Sequence, residues 1–86
     1  MVRTPSRSQR RSNPKIAFGL VLRQLREHGG DSQDSFAHRT GYHRNYVGQL
    51  ERGEKSPSLN ALFNLSKALG LRPSQLLELV EERLGL

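Results

Sequence analysis

The chain has 86 residues, no cysteine, and 14 Lys and Arg against 8 Asp and Glu, for a formal charge of +6. This length allows one small domain, held by close packing or by association with a second copy, and without cysteine it has neither a disulfide nor a thiolate metal site. No apolar run approaches the ~20 residues of a membrane span, and the positive excess favours a polyanion, nucleic acid before a membrane surface.

Residues 1–13, MVRTPSRSQRRSN, carry Arg3, Arg7, Arg10 and Arg11 without an acid and with almost nothing to bury. Such a stretch does not offset its ordering entropy, so a flexible basic arm is expected ahead of a folded domain spanning 14–86. The arm either tracks phosphates and enters a minor groove or merely solubilises the chain, and both readings stay open. No apolar region follows it, so it is not a secretory signal peptide, and a cytoplasmic location is expected.

Asn13 as N-cap and Pro14 at the first helical position open helix one. Phe18, Val21, Leu22 and Leu25 fall at i, i+3, i+4 and i+7, the stripe of an amphipathic helix that ends at Gly29-Gly30. Arg26 lies on or beside this stripe and needs a partner there, because an unpaired charge near a core is costly. Ser32 caps a second helix, Gln33 to Thr40, which turns Phe36 and Ala37 inward and has Asp34 in its first turn, where the helix dipole favours a carboxylate. Gly41 supplies the left-handed conformation that ends it. A third helix begins near His43 and stops at Gly53, burying Tyr46, Val47 and Leu50. Outside remain His43, Arg44, Asn45, Gly48, Gln49 and Arg52.

Arg, Asn and Gln are the side chains whose geometry fits purine edges in a major groove. A helix, a glycine turn and a second helix of that composition form a helix-turn-helix signature. Arg44 and Asn45 at the start of the reading helix, with His43 beside them and Gln49 one turn on, are the candidate base readers. In the loop Gly53 to Pro57, Arg52, Lys55 and Ser56 flank the groove and are expected on phosphates. Ser58 caps helix four, with Leu59, Leu62, Phe63, Leu65, Ser66, Ala68 and Leu69 as its expected buried stripe and Gly70 at its end. Helix five starts near Pro73. Its Leu76, Leu77, Leu79, Val80 and Leu84 exceed what one side of a terminal helix needs, so Leu76, Leu79, Val80 and Leu84 are expected in a homodimer interface. Two-fold symmetry then sets two reading helices into successive major grooves ~34 Å apart.

Arg26, Ser32-Gln33, Ala37, Gly41, Val47, Glu51-Arg52-Gly53, Pro57-Ser58-Leu59 and Leu69-Gly70-Leu71 stand in one order and spacing. Through them the stretch from Phe18 to Leu77 resembles the Cro and phage-repressor (XRE-type) helix-turn-helix family. The resemblance implies an all-α, five-helix, lambda-repressor-like domain with the helix-turn-helix as helices two and three. It implies an ion pair between Arg26 and Glu51, and phosphate contact by Gln33, with Ser32, at the start of helix two. Three departures stand out: Ser35 replaces the acid of a capping box, His43 replaces a Ser or Thr cap, and Gly48 sits inside the reading helix at a cost of ~1 kcal/mol.

The expected function is a sequence-specific double-stranded DNA-binding transcriptional regulator, a homodimer on a pseudo-palindromic operator. The alternative is an antitoxin or another module that holds a protein partner, such as a toxin, while repressing its own operon. Catalysis is not expected: Ser35 and His38 lack an orienting acid. His28, His38 and His43 have no ligand spacing, so neither a metal nor a cofactor is expected, nor a small-molecule substrate.

Overall fold

The computed structural model describes residues 13–86; the expectations for residues 1–12 of the basic arm lie outside them. Helices α1 (Pro14–His28), α2 (Gln33–Thr40), α3 (Arg44–Glu51), α4 (Leu59–Ala68) and α5 (Pro73–Leu84) follow one another, and the described residues contain no strand. The caps explain the boundaries. Asn13 Oδ1 accepts from the Lys15 N–H at 2.8 Å, Ser32 Oγ from Ser35 at 3.0 Å and Ser58 Oγ from Ala61 at 3.0 Å. Each satisfies an amide that a helix start would otherwise leave without a partner. In α5, Gln75 Oε1 accepts from the Arg72 N–H at 2.9 Å.

Phe18, Val21 and Leu22 of α1, Phe36 and Ala37 of α2, Val47 and Leu50 of α3, Ala61 and Leu65 of α4, and Leu76 and Val80 of α5 form one core. Around it α1 packs on α3 and α5, α2 packs on α3 and α4, and α4 packs on α5. Among the glycines, Gly19 makes the closest approach to another helix. A Cβ there would lie 2.3 Å from the Leu50 carbonyl oxygen and 2.7 Å from that of Glu51, so α1 presses its backbone against the end of α3. Periodicity passes over this residue; the available signal is a glycine in mid-helix, which costs helix propensity and so asks for a packing reason.

Two expectations are corrected. Leu59 and Phe63, placed in the buried stripe of helix four, are 70% and 55% exposed, while Ala61, Leu65 and Ser66 are buried. Helix α4 is apolar around most of its circumference, so period alone does not choose its phase. The close-packed side takes the small residues, and Ser66 satisfies its hydroxyl by donating to the Leu62 carbonyl. Leu76 and Val80, assigned to a subunit interface, retain 0% and 5% of their surface. They complete the domain's own core, Leu76 with no surface left and Val80 with only an edge on a shallow groove. Leu79 and Leu84 are half-buried against that core, and Leu77 is the exposed leucine of the helix.

Candidate nucleic-acid interface

Helices α2 and α3 are joined by Gly41, which adopts φ 78°. A side chain in that left-handed region is strained, and glycine removes the strain. The following Tyr42 ties the turn to α4, its hydroxyl accepting from Asn64 Nδ2 at 2.9 Å, and its ring lies 5.2 Å from that of Tyr46. His43 then opens α3: its Nδ1 accepts from the Asn45 N–H at 3.0 Å. An imidazole nitrogen thus performs the capping otherwise done by a Ser or Thr oxygen.

The inner side of α3 is fastened at its C-terminal end. Arg26 grips Glu51 with two prongs, Nε to Oε2 at 2.6 Å and Nη2 to Oε1 at 2.9 Å, and both side chains are buried. Gln33 Nε2 donates to the same Oε1 at 2.9 Å, and Arg26 Nη1 donates to the Asp31 carbonyl at 2.9 Å. One carboxylate therefore joins α1, the start of α2 and the end of α3. The hydrogen bond from Arg26 to Glu51 raises the Arg26 pKa and outweighs the opposing effect of burial. No buried side-chain nitrogen or oxygen among the described residues lacks a hydrogen-bond partner, as burial of charge requires.

A second clamp went unread in the sequence. Arg39 donates to Asp31 Oδ2 through Nε at 3.1 Å and Nη2 at 2.6 Å, while its Nη1 reaches the Ala68 carbonyl at the end of α4 at 2.9 Å. The Ser35 hydroxyl, which stands where a capping-box acid was absent, donates to Asp31 Oδ1 at 2.9 Å. Arg39 first and Ser35 second hold the Asp31 carboxyl below its ordinary pKa. Nothing local marks these residues, because the partners of Arg39 lie 8 and 29 positions away.

On the outer side His43, Arg44 and Asn45 are exposed at the start of α3, Gln49 is half-buried one turn on, and Arg52 is exposed at its end. Lys55 and Ser56 are exposed in the loop that follows. Arg44 Nε lies 3.4 Å from Asp34 Oδ1. Arg52 is held by Glu54, Nε to Oε2 at 2.6 Å and Nη2 to Oε1 at 3.4 Å. That bond raises the Arg52 pKa and lowers that of Glu54.

The remaining placements differ from expectation in detail. Gly48, read as an outward residue, is buried: the Arg52 side chain folds back over it, and a Cβ at Gly48 would meet Arg52 Nη1 at 2.8 Å. The Gln33 amide is turned to Glu51 and the Ser32 hydroxyl caps α2. The first-turn N–H of Ser35 is thereby satisfied, and those of Gln33 and Asp34 stand ahead of it at the helix start. Among the described residues no cluster of His, Asp and Glu able to hold a metal ion is present, and no helix is long and apolar enough to cross a membrane.

A rod locked from beneath, opened by a glycine turn and edged with purine-matching side chains is a helix-turn-helix domain. A family model described as helix-turn-helix matches residues 22–76, more than half of the sequence, and the chain belongs to that family. Control protein C.BamHI from Bacillus amyloliquefaciens is 37% identical over 68 residues, which is 78% of this chain and 84% of that protein. Among solved structures, the restriction-modification controller protein C.AhdI from Aeromonas hydrophila is 41% identical with a TM-score of 0.68, covering 71% of this chain and 92% of that one. The clp gene regulator ClgR from Corynebacterium glutamicum is 26% identical with a TM-score of 0.78, covering 84% of this chain and 77% of that one.

Proposed function

We propose that this DNA-binding transcriptional regulator is the control protein of a restriction-modification system. It acts as a homodimer on a pseudo-palindromic operator in the cytoplasm. The observation that carries the reading is the two-sidedness of α3: its inner side is bolted to α1 and α2 through Glu51, while its outer side presents His43, Arg44, Asn45 and Gln49 uncovered by the rest of the domain. A helix fixed in this way enters a major groove without first being ordered, and its polar edge meets the base pairs. Arg52, Lys55 and Ser56, with the first-turn amides of α2, meet the phosphates on either side. The basic arm adds phosphate contacts through Arg3, Arg7, Arg10 and Arg11. Likeness to a control protein and to a restriction-modification controller favours this reading over one built on a toxin partner.

With Leu76 and Val80 committed to the core, the dimer face is Leu59 and Phe63 of α4 together with Leu77 of α5. These are 70%, 55% and 43% exposed. Leu77 also lines a shallow groove of about 180 Å³ with Phe18, Pro57, Leu62 and the edge of Val80. Leu59 and Phe63 lie one helical turn apart, so they form one exposed apolar strip on α4 that a two-fold related copy can meet with the same strip.

Selection of bound sequences from a random duplex pool, at two salt concentrations, tests the reading. A two-fold symmetric site with half-sites one helical turn apart is expected, and failure to enrich any duplex would end the proposal. Removing residues 1–12 should flatten the salt dependence, by roughly 0.9 in the log–log slope per lost phosphate contact, and leave the selected sequence unchanged. Leu59→Glu with Phe63→Glu should give a folded monomer in sedimentation; a persistent dimer would place the interface elsewhere.

A further inference from the structure

Arg44 and Arg52 stand at the two ends of α3, yet their acids hold them differently. Glu54 takes Arg52 by Nε and Nη2, and the third nitrogen, Nη1, is turned back onto Gly48. For Arg44 the nearest acid is Asp34, whose Oδ1 makes its shortest approach at Nε, at 3.4 Å. The first arginine is closed upon the protein. The second is only loosely paired, with both side chains exposed and its acid nearest to Nε.

We propose that Asp34 is a positioning residue for Arg44, and that the pair reads a guanine at one position of each half-site. This rests on the reading of α3 as the helix that enters the groove. In the unbound protein the pair is exposed on both sides and is worth little. When α3 docks, water leaves the contact, the local dielectric falls and the attraction strengthens. A carboxylate drawn onto Nε fixes the plane of the guanidinium, and Nη1 and Nη2 then match the O6 and N7 acceptors of guanine together. The match needs a planar fork with a third donor behind it, which lysine lacks. Asp34 has this reach because it lies in the first turn of α2, beside the first residue of α3.

The full chain, wild type and the variants Asp34→Asn, Asp34→Glu, Arg44→Ala and Arg44→Lys, is passed through duplex selection at one salt concentration. Melting curves accompany each variant, and base preference is scored position by position. In wild type one position should be guanine, and Arg44→Ala should reduce that preference by about 5- to 150-fold. Arg44→Lys should lose most of it. Asp34→Asn should lose roughly 3- to 10-fold at the same position and nowhere else, because a charge-assisted bond becomes a neutral one, and Asp34→Glu should restore it. A merely structural Asp34 would lower binding evenly or shift the melting point without altering the profile, and either result overturns the proposal. An unchanged profile in Arg44→Ala overturns it too. If wild type itself selects nothing, the failure belongs to the DNA-reading assignment, and the two failures are thereby told apart.

Discussion

Helix α3 ends between two arginine–carboxylate pairs, Arg26–Glu51 beneath it and Arg52–Glu54 beside it, each with an Nε to oxygen distance of 2.6 Å. Their surroundings differ: the side chains of the first pair are 9% and 3% exposed, those of the second 58% and 51%. An equal Nε distance therefore carries unequal consequences. Below the helix, water cannot replace a lost partner, so the pair sets where the reading rod lies. Beside the helix, solvent replaces either partner readily, so Arg52 is free to leave Glu54 for the phosphate contact proposed for it. The inner pair is architecture; the outer one is a charge in reserve.

The sharpest way to break this contrast is to remove the carboxylate from each pair. Glu51→Ala leaves the Arg26 guanidinium buried and uncompensated and takes an acceptor from Gln33. The expected loss is about 3–5 kcal/mol, a large part of the roughly 5–15 kcal/mol that holds a small domain. Glu54→Ala should leave the thermal midpoint where it is and steepen the salt dependence of DNA binding as Arg52 becomes available to phosphate. Thermal denaturation of the two variants side by side decides it, and equal midpoints would abolish the distinction.

Next in size is the contact that seats α1 on α3. Alanine would favour a helix by up to about 1 kcal/mol over glycine, so propensity alone predicts that Gly19→Ala stabilises. The backbone oxygens of Leu50 and Glu51, 2.3 and 2.7 Å from the new Cβ, have no rotamer by which to withdraw. Overpacking at about 1–3 kcal/mol outweighs the propensity gain, and the midpoint should fall. A rise would mean that α1 and α3 separate at little cost, and that the buried pair alone locates the reading helix.

The Asp31–Arg39 clamp gives a smaller effect that depends on pH. Arg39 and Ser35 depress the Asp31 pKa in the folded chain. Its stabilisation is therefore complete above the unfolded value, near 4, and disappears as pH falls through the lower folded value. Asp31→Asn should flatten the acid limb of a stability-against-pH curve while leaving the Arg26–Glu51 pair in place. An acid limb of unchanged slope would remove Asp31 from the residues that hold α2 to α4.

What the sequence made legible follows the range over which each signal acts. Helix starts at Asn13, Ser32 and Ser58, and the turn at Gly41, are local chemistry and were readable as such. So was the polar edge of α3, because its residue types are unusual for a short helix. The phase of α4 was not readable: Leu59, Leu62, Phe63, Leu65 and Leu69 cover too much of the circumference for periodicity to choose, and the choice was made by where Ala61 and Ser66 permit close packing. For the same reason Leu76 and Val80 looked surplus until the core that needed them was present. Arg26 announced only that it wanted a partner; the family resemblance named Glu51. Arg39 announced nothing, since its acceptors are distant in sequence.

Gly48 offers the finest test of the two-sided view of α3. It is buried, yet what covers it is the far end of the Arg52 side chain and not backbone as at Gly19. A methyl group at Gly48 would displace Nη1 from 2.8 Å, and a long side chain with solvent around it accommodates this by rotating. Gly48→Ala should therefore raise stability by up to about 1 kcal/mol, the opposite sign from Gly19→Ala on the same scale. It should also loosen Arg52 from Glu54, so phosphate affinity should move in the direction expected for Glu54→Ala. If Gly48→Ala destabilises instead, Arg52 is fixed in place and the outer face of α3 is built as firmly as the inner one.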